Sequence, residues 1–234
     1  MKEIIKFEKV SRIYGTKVAP VKAIDEISFT IDEGEFVVVL GPSGAGKSTI
    51  LNLLGGMDQA TSGSIIINNE DITNINDNAL TEYRAKNVGF VFQFYNLIPN
   101  LTALENVALT KEICNEKVDY EEVMKSIGLT RQMHQFPTQL SGGEQQRVSI
   151  ARAIAKNPTM LLCDEPTGAL DSQTGVMILE ALQQLSSEQK KTVIIVTHNA
   201  ALADAADKVI KVRNGKIEDI TINEHPISIK EVSW

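Results

Sequence analysis

Gly41-Pro42-Ser43-Gly44-Ala45-Gly46-Lys47-Ser48 stands between an apolar run, Phe36–Leu40, and a helix-compatible segment that opens at Thr49. Glycines at this spacing let backbone N–H groups curl around phosphate oxygens. A lysine here reaches the β and γ phosphates, and the Ser48 hydroxyl can ligate Mg²⁺. With a strand before it and a helix after it, the octet reads as a P-loop rather than an ordinary glycine turn, and residues 41–49 become candidate nucleotide ligands.

A second anion-binding feature lies far downstream. Leu140-Ser141-Gly142-Gly143-Glu144 precedes a strongly helical stretch over residues 145–155, and Ser141 with Glu144 has the S-x-x-E spacing of a capping box. Ser141 and Gly143 therefore sit at a helix N-terminus, which offers N–H groups and the positive end of the helix dipole to an anion. The chain shows one P-loop, so this second site either serves a different ligand or completes a nucleotide site on another copy. A third feature is Met160-Leu161-Leu162-Cys163-Asp164-Glu165, which reads as a buried parallel strand delivering two carboxylates to its C-terminal edge. Ligands of open α/β sheets bind at that edge.

With Gln145-Gln146-Arg147 added, the stretch that begins at Leu140 resembles the signature motif of ATP-binding cassette (ABC) ATPases, with Glu144 where that family more often carries Gln. The resemblance implies ATP and Mg²⁺ as ligands and assigns roles residue by residue. Asp164, with Ser48, is the acid that holds Mg²⁺, and Glu165 is the general base that polarises the attacking water. Gln93, after the strand-like Val88-Gly89-Phe90-Val91-Phe92, matches the glutamine that senses Mg²⁺ and the γ-phosphate. Gly168-Ala169-Leu170-Asp171 matches the loop that crosses the dimer interface, and His198, closing a strand over 193–197, matches the switch histidine. Tyr14, set between a first strand at 4–10 and a second at 23–31, is the aromatic that stacks on adenine. The implied catalytic groups are Lys47, Gln93, Glu165 and His198, and the implied metal set is Ser48, Gln93 and Asp164. The implied nucleotide contacts add Tyr14, residues 41–49, Ser141, Gly142, Gly143, Glu144 and Asp171.

Composition agrees. At 234 residues with 43% hydrophobic and 23% charged side chains, the chain can bury a sizeable core, and its net charge of −7 argues against a nucleic-acid partner. No stretch approaches the roughly eighteen apolar residues that span a bilayer, and Lys2, Glu3, Lys6, Glu8 and Lys9 exclude a signal peptide's apolar region. The expected place is the cytoplasmic face of the membrane, reached only through a partner. Cys163 lies in an apolar strand and Cys114 elsewhere, without metal-ligand spacing, so both are expected reduced and neither catalytic. His134 and His225 read as surface residues.

Strands and helices alternate up to Phe92, give way to a mostly helical segment edged by Pro99 and Pro137, and then resume. Thr102-Ala103-Leu104-Glu105-Asn106-Val107 and residues 120–127 have the apolar spacing of short amphipathic helices. The reading is one domain over 1–234, with a core at about 1–93 and 138–222, a helical subdomain at about 94–137 and a tail at about 223–234. With the resemblance, the expected class is α/β: a P-loop NTPase of the ABC ATPase fold, with a mainly parallel sheet core, an N-terminal antiparallel β subdomain and a helical subdomain insertion.

Chromosome-maintenance and DNA-repair relatives place a long coiled coil between P-loop and signature, and translation-factor relatives carry two cassettes. This chain has neither feature, so a transporter-type subunit is expected, with a second copy of itself and a membrane permease as partners. Phe94-Tyr95-Asn96-Leu97-Ile98-Pro99-Asn100-Leu101 is apolar and loop-like, which suits local core packing or a docking groove. In the family, this junction receives the permease. From Phe90 to Val107 the chain most resembles the bacterial lipoprotein-release, macrolide-efflux and cell-division group, whose permeases are of FtsX type, although residues 109–129 are fewer than in macrolide-efflux relatives. The resemblance implies a head-to-tail homodimer around two ATP-Mg that drives export or extraction of a substrate. The alternative is a transmitter that moves no cargo and controls cell-wall hydrolases or reports antimicrobial peptides. Beyond residue 216, Ile222, Ile227, Ile229, Val232 and Trp234 scatter apolar groups around Pro226, which suits a loose end or a docked tail.

Overall fold

The runs at residues 36–40, 160–163 and 192–197 are too uniformly apolar to face water on either side, and they form the middle of a six-stranded sheet. A computed structural model describes residues 2–16, 18–112 and 118–232, so Cys114 and Trp234 lie outside the described residues. In chain order the elements are β1 (Glu3–Thr16), β2 (Ala19–Asp32), β3 (Phe36–Leu40), α1 (Lys47–Leu54), β4 (Ser62–Ile67), β5 (Glu70–Asp71), α2 (Asp77–Asn87) and β6 (Val88–Val91). Then come α3 (Ala103–Ala108), α4 (Tyr120–Ser126), α5 (Gly142–Ile154), β7 (Met160–Asp164), α6 (Ser172–Ser187), β8 (Thr192–Thr197), β9 (Lys208–Arg213) and β10 (Lys216–Ile222).

The large sheet runs β10-β9-β3-β8-β7-β6, parallel except for the β9–β10 hairpin at its edge. A second, antiparallel sheet, β2-β1-β4-β5, packs across it. Period-two alternation divides the strand residues between two cores. Val37, Val39, Leu162, Ile194 and Val196 meet α1 and the antiparallel sheet on one face. Val38, Leu161, Cys163, Val193 and Ile195 meet α5 and α6 on the other. A third cluster joins α3, α4 and Leu129 to Val148, Ala151 and Ala155, so α5 is shared between the sheet and the helical segment.

One expectation is corrected and one open alternative is decided. The first two strands do not stop at residue 10 and restart at 23: the hairpin continues through Tyr14, which pairs with Val21, to Thr16 and Ala19. Both faces of that extension are largely exposed, so it lacks the apolar alternation by which a strand is read. The tail is docked rather than loose. Ile229 and Val232 are buried in the second core, and Gln183 of α6 brackets them, donating to Ile227 O at 3.0 Å and accepting from Ile229 N at 3.1 Å. His134 and His225 are exposed and Cys163 is buried, as read.

Candidate active site

Three parallel strands set the stage, because β3, β8 and β7 end side by side and each delivers its C-terminal loop to one edge of the sheet. The loop after β3 wraps into α1 through Gly46, whose φ of 105° and place against Ala23 O, where a Cβ would approach within 2.5 Å, admit only glycine. Lys47 is buried and its ammonium donates to Gly41 O at 2.7 Å and Pro42 O at 3.1 Å, holding the loop closed on itself. Pro42, Ser43, Gly44 and Ser48 stay exposed, and Thr49 is half-buried.

Asp164 ends β7 within reach of the Ser48 hydroxyl. Burial first, and the neighbouring Glu165 charge second, raise its carboxyl above the ordinary value, against smaller opposing effects of Ser48 and Lys47. A half-buried carboxylate beside a serine hydroxyl, carrying more negative charge than its surroundings relieve, fits a divalent cation. Because the folded chain binds the Asp164 proton more tightly than the unfolded chain, the carboxyl destabilises the fold as pH rises past its ordinary pKa, and the effect is complete above the raised, folded pKa. Asp164→Asn is therefore expected to raise the melting temperature of the nucleotide-free protein by about 1–3 °C at pH 7.5, a gain that shrinks as pH falls from the raised pKa and is gone below the ordinary carboxylate value. Calorimetry across a pH series reads this out, and a lower melting temperature for the variant at pH 7.5 would contradict it.

Glu165 follows with φ 45°, a left-handed backbone that is uncommon for a residue with a side chain. Its N–H donates to Val196 O at 2.9 Å, tying the turn to β8. Its carboxylate accepts from Thr197 Oγ1 at 3.0 Å and His198 N at 3.1 Å, and His198 Nδ1 lies 2.8 Å from the same carboxylate. The expected base and the expected switch histidine are thus in direct contact. Gln93, after β6, lies against Gly168, where a Cβ would come within 2.8 Å of the Gln93 amide nitrogen. One cluster therefore gathers Lys47, Ser48, Asp164, Glu165 and His198, with Gln93 held against the loop of Gly168.

Ser141 caps α5 as the spacing implied, in a reciprocal box with Glu144: Ser141 N and Oγ both lie 2.8 Å from Glu144 Oε2, and Glu144 N donates to Ser141 Oγ at 3.3 Å. The Ser141 backbone and side-chain bonds, with a further donation from Gln132 at 2.8 Å, hold the Glu144 carboxyl below the usual range. Both of its oxygens are thus engaged inside the chain, and the acid shapes the helix end. Gly143 packs on α6 so closely that a Cβ would sit 2.1 Å from Thr174 Cγ2, and Gly142 lies beside Tyr95 Oη. Asp171 caps α6, accepting from Thr174 Oγ1 at 2.7 Å and Thr174 N at 3.0 Å, which lowers its pKa. Among the described residues no hydrogen bond joins Ser141–Glu144 to residues 41–49.

Sequence reasoning missed the residues that brace the junction after Gln93. Asn106 is fully buried, accepts from Ile98 N at 2.8 Å and donates to the carbonyls of Ile98, Leu101 and Thr102 at 3.0–3.1 Å. Arg152 of α5 donates to Asn96 O at 2.7 Å and Tyr95 O at 3.0 Å. The backbone is pinned from beneath while Phe94 and Ile98 are 74% and 43% exposed, so these two side chains face outward and are not core packing. A second polar residue, Asn106, beside the capping Glu105 in a six-residue helix was the one available signal. Two large grooves, of about 1130 and 720 Å³, open elsewhere and contain none of the expected nucleotide residues.

Comparison with known proteins places the chain. The ABC transporter family model matches residues 24–168, more than half of its length. An uncharacterized ABC transporter ATP-binding protein of Thermotoga maritima is 43% identical over 225 residues, covering 94% of this chain and 96% of that protein. The macrolide export ATP-binding/permease protein MacB of Mannheimia succiniciproducens is 42% identical over 96% of this chain, which spans only 35% of it. A dimeric, post-hydrolysis structure of the ATP-binding cassette MJ0796, bound to ADP and Pi, superposes with a TM-score of 0.85 at 40% identity, over 94% of this chain and 98% of that one. MJ0796 is a protein of Methanocaldococcus jannaschii. No helix among the described residues is long and apolar enough to cross a membrane. Matched along nearly all of its length by relatives above 40% identity, the chain belongs to the ABC transporter family, as an ATP-binding cassette that hydrolyses ATP.

Proposed function

We propose that two copies of this chain associate head to tail around two ATP molecules, each held between the P-loop of one copy and the Ser141 helix end of the other. The observation that carries this reading is that one chain carries two anion-binding ends, the exposed P-loop at 42–44 and the capped helix start at Ser141, which no hydrogen bond joins among the described residues. The dimeric state of MJ0796 with ADP and Pi supports it. In each site Lys47 and the P-loop N–H groups hold phosphates, Gln93 and the Ser141–Gly143 N–H groups face the γ-phosphate, and Tyr14 carries the base. Glu165 orients and deprotonates water, with His198 holding the transferred phosphoryl group. Ser48 and Asp164, with Gln93, are the residues that would hold Mg²⁺, which neutralises phosphate charge. Hydrolysis removes the group that bridges the two copies, and the interface opens.

The outward pair Phe94 and Ile98, on a backbone clamped by Asn106 and Arg152, is the docking surface for a membrane permease of FtsX type at the cytoplasmic face. The likeness to MacB supports export or extraction of a substrate. Transmission without cargo would ask nothing different of the cassette, since both need only ATP-gated closure at this groove. The test is capture of the tagged Glu165→Gln chain from native membranes with ATP and Mg²⁺. Recovery of one multi-span permease, lost when Phe94→Asp is added, is expected. Recovery of soluble proteins only, from intact membranes, would overturn the transporter reading.

A further inference from the structure

Tyr14 is held in place by two side chains. Its hydroxyl donates to Asp58 Oδ2 at 2.5 Å, and the guanidinium of Arg12, two residues back on the same face of β1, lies 4.6 Å from its ring centroid. Arg12 closes the triangle, with Nε 2.9 Å from Asp58 Oδ2 and Nη2 2.6 Å from Oδ1. Asp58 is itself tied to α1, because the N–H groups of Met57 and Asp58 both donate to Asn52 O, at 2.8 and 3.3 Å. The Asp58 and Arg12 side chains are only 18% and 24% exposed, although Tyr14 stands at the surface.

We propose that Asp58 and Arg12 are positioning residues for the nucleotide base, locking the Tyr14 ring and fixing it to the helix whose other end holds the phosphates. This rests on the reading of Tyr14 as the adenine platform. A tyrosine on an exposed hairpin loses rotamer freedom when a base stacks on it, and a ring already held loses less. Arg12 covers one face of the ring, so a base has the opposite face, and a cation on one side is compatible with a flat π-system on the other. The span from base to triphosphate is then set by one rigid element, α1, with Lys47 and Ser48 at its start and Asp58 just beyond its end.

The experiment is equilibrium binding of Mg-ATP and of Mg-tripolyphosphate, which lacks a base, to the full chain and its variants. Asp58→Ala is expected to weaken ATP binding about five- to tenfold, the size of one lost hydrogen bond plus a loosened cation–π contact, and to leave tripolyphosphate binding unchanged. In a Tyr14→Ala background the Asp58→Ala change should add nothing. Tyr14→Phe removes the same bond from the exposed side, with about a threefold loss expected for ATP alone, and gives the readout if Asp58→Ala does not fold. Equal losses for both ligands would make Asp58 a support of α1 and overturn the proposal, as would parent-like ATP affinity in Asp58→Ala and Tyr14→Phe while Tyr14→Ala binds weakly. Parent-like ATP affinity in Tyr14→Ala would instead remove the platform reading, and this proposal with it.

Discussion

Glu165→Gln is expected to bind ATP as the parent does and to turn it over about 10²–10⁴-fold more slowly, accumulating an ATP-bound dimer. The local structure explains why binding survives. Glu165 accepts from Thr197 Oγ1 and His198 N, and a glutamine oxygen can keep the His198 bond while its amide donates to the Thr197 hydroxyl, which rotates to accept. The strained turn at φ 45° stays anchored by Glu165 N to Val196 O. What the amide cannot do is take a proton from water or accept the His198 Nδ1–H as a carboxylate does. Single-turnover phosphate release separates the two effects from nucleotide affinity, and size-exclusion chromatography with ATP reads the dimer. A rate within about tenfold of the parent would remove the general-base assignment.

The P-loop and the two acids at the strand edge were legible because their motifs are local, whereas Gln93 and His198 came only through the family resemblance. A P-loop is eight consecutive residues, and the acids follow their strand directly, so period and composition place them without knowledge of the fold. The capping box between Ser141 and Glu144 is likewise a three-residue separation, although its consequence, that Glu144 is engaged inside the chain, appears only once Gln132 is seen to reach the second oxygen. Asp58, Asn106 and Arg152 were not legible for the opposite reason. Asp58 acts on Arg12 and Tyr14, more than forty residues away in sequence, and Arg152 acts on the backbone of Tyr95 and Asn96, so nothing near them in the chain marks them. The tail stayed open for a related reason: Ile229 and Val232 have no helical or strand period, because a 3₁₀ turn and a bond from Ile229 N to Gln183 seat this end on α6.

Lys47→Ala should weaken ATP binding itself by about 10²-fold, the loss of charge-assisted hydrogen bonds to phosphate, so that turnover at saturating ATP is a poor measure of the defect and calorimetric titration a good one. The ammonium has a second task in the nucleotide-free chain, since its bonds to Gly41 O and Pro42 O hold the loop in the shape that receives phosphate. Alanine removes both the cation and that preorganisation, whereas Lys47→Arg keeps the charge but puts a planar fork into a buried space that fits one ammonium, so arginine should restore little affinity. The loss also extends to Asp164, whose carboxyl Lys47 helps to hold ionised. Without that cation the opposing pull on the Asp164 carboxyl is weaker, and its pKa moves further up. Parent-like ATP affinity in Lys47→Ala would contradict the P-loop assignment.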